Sequence, residues 1–111
     1  MPRIPELSPS EFAARWPAYA TGEDVVLLDV REPAELAVAA VSSALHIPMR
    51  EVPTRLVELD RDKPLVVMCH SGGRSFRVAE YLLGCGFAAV FNLKGGIEAW
   101  STEIDSRVPR Y

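Results

Sequence analysis

A single α/β domain spanning residues 1–111, with a central, mostly parallel five-stranded sheet flanked by helices on both faces, is the fold this sequence predicts. Three observations carry that expectation. The chain has 111 residues, the size of about one domain. Two apolar runs, Val25-Val26-Leu27-Leu28 and Leu65-Val66-Val67-Met68, show no alternation with polar residues, which is how a strand buried on both faces reads. Helical patterns separate the apolar runs, and strands alternating with helices are joined by right-handed crossovers into a parallel sheet.

Taken in order, residues 4–7 form a short edge strand. Ser8, Pro9 and Glu11 then supply an N-cap, a first-turn proline and the acid of a capping box. The helix they open carries Phe12, Trp16 and Tyr19 or Ala20 on one face. Residues 25–30 are the first buried strand, residues 33–40 a short helix with proline near its start, and residues 45–48 a brief strand. Residues 50–59 read as a further helix bearing Val52, Leu56 and Leu59. After a turn over residues 60–64 comes the buried strand 65–68. A helix from about Arg74 to Leu83 presents Val78, Ala79, Leu82 and Leu83, and Gly84 and Gly86 mark its end. Residues 89–93 are the last strand, and Gly95-Gly96 leads into a helix with Ile97, Trp100 and Ile104.

Composition removes several classes of function. With 15 acidic and 12 basic residues the net charge is −3, so there is no general attraction to nucleic acid or anionic lipid. Neither is an expected partner. No apolar stretch approaches the roughly 20 residues that cross a bilayer, and residues 1–12 lack the apolar segment of a secretion signal. Two cysteines are too few for a disulfide framework. A cytoplasmic, reducing location is the expectation.

The chemistry is expected in one loop. Residues 69–75 read Cys-His-Ser-Gly-Gly-Arg-Ser, placing a thiol between the end of a strand and the start of a helix. Such a loop turns successive backbone N–H groups into one concavity, and the helix dipole adds partial positive charge. An anion at the sulfur is stabilised there, so the thiol of Cys69 loses its proton readily. Glycines at 72 and 73 let the backbone make that turn without a Cβ penalty. In parallel sheets ligands sit at the carboxyl ends of the strands. Cys69 and Asp29 both fall there.

Four segments in order carry a family resemblance. Leu28-Asp29-Val30-Arg31-Glu32-Pro33, Ala44-Leu45-His46-Ile47-Pro48, the loop from Cys69 to Ser75, and Leu93-Lys94-Gly95-Gly96-Ile97-Glu98-Ala99-Trp100 together resemble the single-domain sulfurtransferases of the rhodanese family. The resemblance implies transfer of a sulfane sulfur through a persulfide on Cys69, the catalytic residue. His70, Ser71, Gly72, Gly73, Arg74 and Ser75 would bind substrate. It also implies a small donor, thiosulfate or a persulfide, and a thiol or cyanide acceptor, which includes a protein thiol. No cofactor is implied. One stretch departs from the family pattern, Ala39-Ala40-Val41-Ser42-Ser43-Ala44, which lacks the usual histidine and glycines.

Competing readings remain. Cysteine phosphatases carry Cys-x5-Arg, a ring wide enough for phosphate, whereas this chain has Cys-x4-Arg, a narrower cradle. A non-catalytic module that docks a partner or senses sulfur and oxidant state is a different class of alternative. Zinc is disfavoured, because Cys69, His70, His46 and Cys85 lack paired ligand spacing. Arg74 either holds an anionic donor or ties the loop to Asp29 or Glu32. Arg31 and Glu32 read as braces, His70 as an anion-attracting group only when protonated, and His46, Trp16, Trp100 and Cys85 as structural.

Overall fold

The computed structural model describes residues 4–111; of the segments read above, residues 1–3 of the N-terminal stretch lie outside the described residues. Five strands form one sheet: β1 (Glu6–Leu7), β2 (Val26–Asp29), β3 (Leu45–His46), β4 (Leu65–Met68) and β5 (Val90–Leu93). Their order is β1-β5-β4-β2-β3 and every pairing is parallel. The helices are α1 (Pro9–Arg15), α2 (Pro33–Val38), α3 (Gly73–Gly84) and α4 (Gly96–Glu103). None of them is long and apolar enough to cross a membrane.

Each unalternating run became a strand covered on both faces. Leu28 and Val67 point into a core with Val78, Ala79 and Leu82 of α3, while Leu27, Val66 and Met68 point the opposite way against Phe12, Ile97 and Trp100 of α1 and α4. Full burial of such a side chain contributes about 1.5–3 kcal/mol, and these two clusters fix the sheet between its helical layers. The second cluster is rich in aromatics: Phe12 lies 5.8 Å from Trp100 and 5.3 Å from Tyr19, ring centre to ring centre.

The capping box forms as read. Ser8 Oγ accepts from the Glu11 N–H at 3.1 Å, and Glu11 Oε1 accepts from the Ser8 N–H at 2.8 Å. The helix is shorter than the apolar pattern implied, because Trp16 precedes Pro17 and leaves the helical region at φ −128°, ψ 78°, as a residue before proline does. Tyr19 then falls in a separate 3₁₀ turn, Tyr19–Thr21. Residues 50–59 differ in kind: they form two 3₁₀ segments, Met49–Thr54 and Leu56–Glu58, instead of one α-helix. Pro53 stands inside the first and removes an amide donor that an α-helix there would need.

The stretch that departs from the family pattern folds into a turn, the Ala44 N–H donating to the Val41 carbonyl at 3.0 Å. Ala39 and Val41 are buried in the second cluster. The Ala39 carbonyl accepts from the Arg31 guanidinium at 2.9 Å, which ties this stretch to the end of β2.

Candidate active site

Three elements build the Cys69 loop. β4 ends at Met68 and delivers Cys69 to the carboxyl edge of the sheet, and α3 begins at Gly73. Gly72 makes the turn between them at φ +114°, a value L side chains avoid. Gly73 has no such role: its φ is not positive and a Cβ there would meet open space. The turn expected of both glycines is therefore made by Gly72 alone.

Donors converge on the sulfur. The Gly72 N–H lies 3.1 Å from Cys69 Sγ, and the Ser75 hydroxyl lies 3.3 Å away. Burial raises the pKa of the thiol. The Ser75 hydroxyl and the amides of Ser75, Gly72 and Ser71 outweigh it, so the thiol titrates below its ordinary value. Cys69 is only 1% exposed, which places the sulfur at the bottom of the loop.

The loop's outer carbonyls explain why its amides face inward. The carbonyl of Cys69 accepts from the Ile97 N–H at 2.9 Å, and that of His70 from the Glu98 N–H at 3.1 Å. These are first-turn amides of α4 with no partner inside their own helix. In a trans peptide the N–H points opposite the C=O, so pinning the His70 carbonyl to α4 turns the Ser71 amide toward the sulfur side. Gly96 makes the approach possible, because a Cβ there would collide with the Cys69 and His70 carbonyls.

A second polar centre lies beside the loop. Arg31 and Asp29 are both fully buried, with Nη2 2.7 Å and Nε 3.0 Å from the carboxylate. Arg31 Nη2 also donates to the Ala39 carbonyl at 2.9 Å, and Nη1 donates to the Tyr111 hydroxyl at 2.9 Å. The brace expected of Arg31 is present. Glu32 is looser, 4.0 Å from Arg50 in an exposed pair. His46 places Nε2 2.7 Å from the Arg31 carbonyl, a structural contact.

Arg74 pairs with neither Asp29 nor Glu32. It forms a two-point ion pair with Glu35 of α2 at 2.6 and 2.9 Å, since Arg31 already occupies Asp29. The Arg74 guanidinium holds the Glu35 carboxyl at about 2, helped by the Tyr111 hydroxyl 2.7 Å away. His70 stacks flat on Tyr111, centroids 4.2 Å apart, with Nε2 3.7 Å from Glu98. Cys85 is unpaired and half-buried, and its carbonyl accepts from Arg61.

The structure thus gathers Cys69, Gly72 and Ser75 around one atom and assigns Arg74 and His70 to the rim. Glu35, Asn92 and Tyr111 were not among the residues singled out from sequence. Asn92 left a signal, being the one polar residue inside the apolar run of β5, where a buried amide must find partners. Glu35 and Tyr111 left none.

The fold and the loop together define a parallel α/β domain with one cysteine, its thiol pKa lowered by nearby donors, at the carboxyl end of a central strand. The chain belongs to the family described as the Rhodanese-like domain, whose pattern matches residues 16–103. It is 44% identical over 79 residues to a sulfurtransferase of Allochromatium vinosum, covering 71% of this chain and 74% of that one. It is 38% identical over 80 residues to the thiosulfate sulfurtransferase GlpE of Pseudomonas syringae, covering 72% and 76%. Among solved structures, a rhodanese-related protein of Thermoplasma volcanium superposes with a TM-score of 0.76 at 29% identity, covering 91% of this chain and 94% of that one.

Proposed function

We propose that this chain is a sulfurtransferase that carries a sulfane sulfur from a small donor, thiosulfate or a persulfide, to a thiol or cyanide, with Cys69 as the carrier. The observation that carries the reading is the convergence of the Gly72 amide at 3.1 Å and the Ser75 hydroxyl at 3.3 Å on Cys69 Sγ. In the first half-reaction the Cys69 thiolate attacks the outer sulfur of thiosulfate. A new S–S bond forms, and the donor's S–S bond breaks with its electron pair leaving on sulfite. The persulfide's negative charge then rests on the outer sulfur, beside the amides of Ser71, Gly72 and Ser75, which already face the sulfur side and need no reorganisation. In the second half-reaction an acceptor thiolate or cyanide takes that sulfur and returns Cys69 to the thiolate, a ping-pong sequence.

The names of the relatives agree with this reading, and the Cys-x4-Arg loop favours a cradle for sulfur over one for phosphate. A nucleophile that must stay reduced or persulfidated fits a reducing, cytoplasmic setting. One observation favours a second reading, a non-catalytic module that docks a partner: Cys69 is 1% exposed. Intact-mass measurement after incubation with thiosulfate separates the two. The transfer reading expects one added sulfur atom on the wild type and none on Cys69→Ser. A wild type that gains nothing while Cys69 still alkylates returns the chain to the non-catalytic binding or sensing class.

A further inference from the structure

Ser75 has one hydroxyl proton and two neighbours that can accept it. Its Oγ lies 3.3 Å from Cys69 Sγ and 2.5 Å from Asn92 Oδ1, and Ser75 and Asn92 are 0% and 1% exposed. The orientation of the Asn92 amide is dictated from its other end. Nδ2 lies 3.0 Å from the Gly72 carbonyl and 3.0 Å from the Glu6 carboxylate. Both are acceptors, which only an NH₂ group can serve, so Oδ1 faces Ser75.

The charge on Sγ decides where the proton points. With Cys69 a thiol, Ser75 donates to Asn92 and the S–H donates to Ser75, so every group is satisfied. With Cys69 a thiolate, Sγ draws the Ser75 proton to itself. Asn92 Oδ1 is then left against an oxygen lone pair at 2.5 Å, a buried acceptor without a donor. Once a sulfane sulfur is bonded to Sγ, the charge lies on the outer sulfur, Sγ is a weak neutral acceptor, and the proton returns to Asn92.

We infer that Asn92 is a positioning residue that acts through the Ser75 hydroxyl to disfavour the bare thiolate of Cys69 relative to its thiol and its persulfide. The persulfide half rests on the transfer reading above; the thiol half does not. The charged and titratable groups around the loop are Arg74 of α3, paired with Glu35 of α2; His70, beside Glu98 of α4 and Tyr111; the Asp29–Arg31 pair at the end of β2; and Glu6 of β1, behind Asn92. None of these groups is itself substituted in the variants below, and Asn92→Ala frees Glu6 and the Gly72 carbonyl equally in both Ser75 backgrounds, so the cycle separates that effect from one carried by the Ser75 hydroxyl.

The test is a double-mutant cycle on the rate of Cys69 alkylation by iodoacetamide against pH, using the wild type, Asn92→Ala, Ser75→Ala and the double variant. Asn92→Ala is expected to raise the thiolate-to-thiol ratio at fixed pH by about threefold to tenfold, the scale of one hydrogen bond. Ser75→Ala is expected to lower it, and adding Asn92→Ala to Ser75→Ala is expected to change nothing. An upward shift of the midpoint in Asn92→Ala, or equal shifts in both backgrounds, overturns the inference, because Asn92 would then act through the Gly72 carbonyl or Glu6. Asn92→Val, suited to a buried strand, carries the same expectation if the alanine variant unfolds. For the persulfide half, the ratio of loaded to free Asn92→Ala at a set thiosulfate-to-sulfite ratio, above the alkylation midpoint, is expected to fall by the same factor; an unchanged ratio overturns that half. A wild type that never loads sulfur sinks the transfer reading while the alkylation cycle still decides the role of Asn92.

Discussion

Two polar centres stand side by side at the carboxyl edge of the sheet, and they are satisfied in opposite ways. β2 and β4 pair with Asp29 opposite Met68, so the Asp29–Arg31 corner and the Cys69 loop begin one residue apart. In the corner a full positive charge meets a full negative charge with no exposure of either. The side chains consume each other, and the result is scaffold. In the loop the thiol's direct partners are dipoles, a serine hydroxyl and backbone amides, and the Arg74 charge acts on it only from the rim. Dipoles stabilise a charge without neutralising it, so the sulfur stays reactive.

The sharpest way to break this comparison is to remove the atom on which one side rests. Cys69→Ser is expected to abolish sulfur transfer, measured as thiocyanate formed from thiosulfate and cyanide, while leaving the thermal unfolding midpoint close to that of the wild type. Arg31→Met should do the reverse. Stranding Asp29 without its partner is expected to cost about 3–5 kcal/mol of stability in urea unfolding, and a loss under about 1 kcal/mol would show that the corner is not the brace its geometry indicates. Gly96→Ala tests the join between loop and helix. A positive φ and a collision with two carbonyls are expected to cost about 1–3 kcal/mol and to slow Cys69 alkylation at neutral pH, because the loop amides lose their orientation.

The smallest effect belongs to Glu35, which links the two centres through Arg74 and Tyr111. Its carboxyl titrates at about 2 in the folded chain against an ordinary 4.5, so between those values the unfolded chain binds more protons than the folded one. The stabilisation is complete above pH 4.5 and is lost as pH falls toward 2. Glu35→Gln should therefore flatten the acid limb of a stability-against-pH curve in that window, by a modest amount because Arg74 is partly exposed. An unchanged acid limb would show that this pair adds nothing.

Much of this was legible in the order of residues. Runs without alternation announced β2 and β4, the Ser8-Pro9-Glu11 triplet announced α1, and the position of Cys69 between a strand and a helix announced the loop. What escaped depended on partners distant in the chain. Glu35 meets Arg74 across 39 positions and Asn92 meets Glu6 across 86, pairings that only the folded topology creates. Residues 50–59 misled for a local reason: apolar spacing suggested an α-helix, but Pro53 blocks its hydrogen bonding and 3₁₀ turns satisfy the same spacing.

The tether between α4 and the loop has a temporal consequence. Cys69 is made 28 positions before the Ile97 amide that holds its carbonyl. In a chain growing on the ribosome, the loop's outer carbonyls therefore stay unpinned until α4 has emerged and docked. That lock arrives with the same helix that brings Trp100 into the aromatic cluster, so one docking event closes the core and fixes the loop.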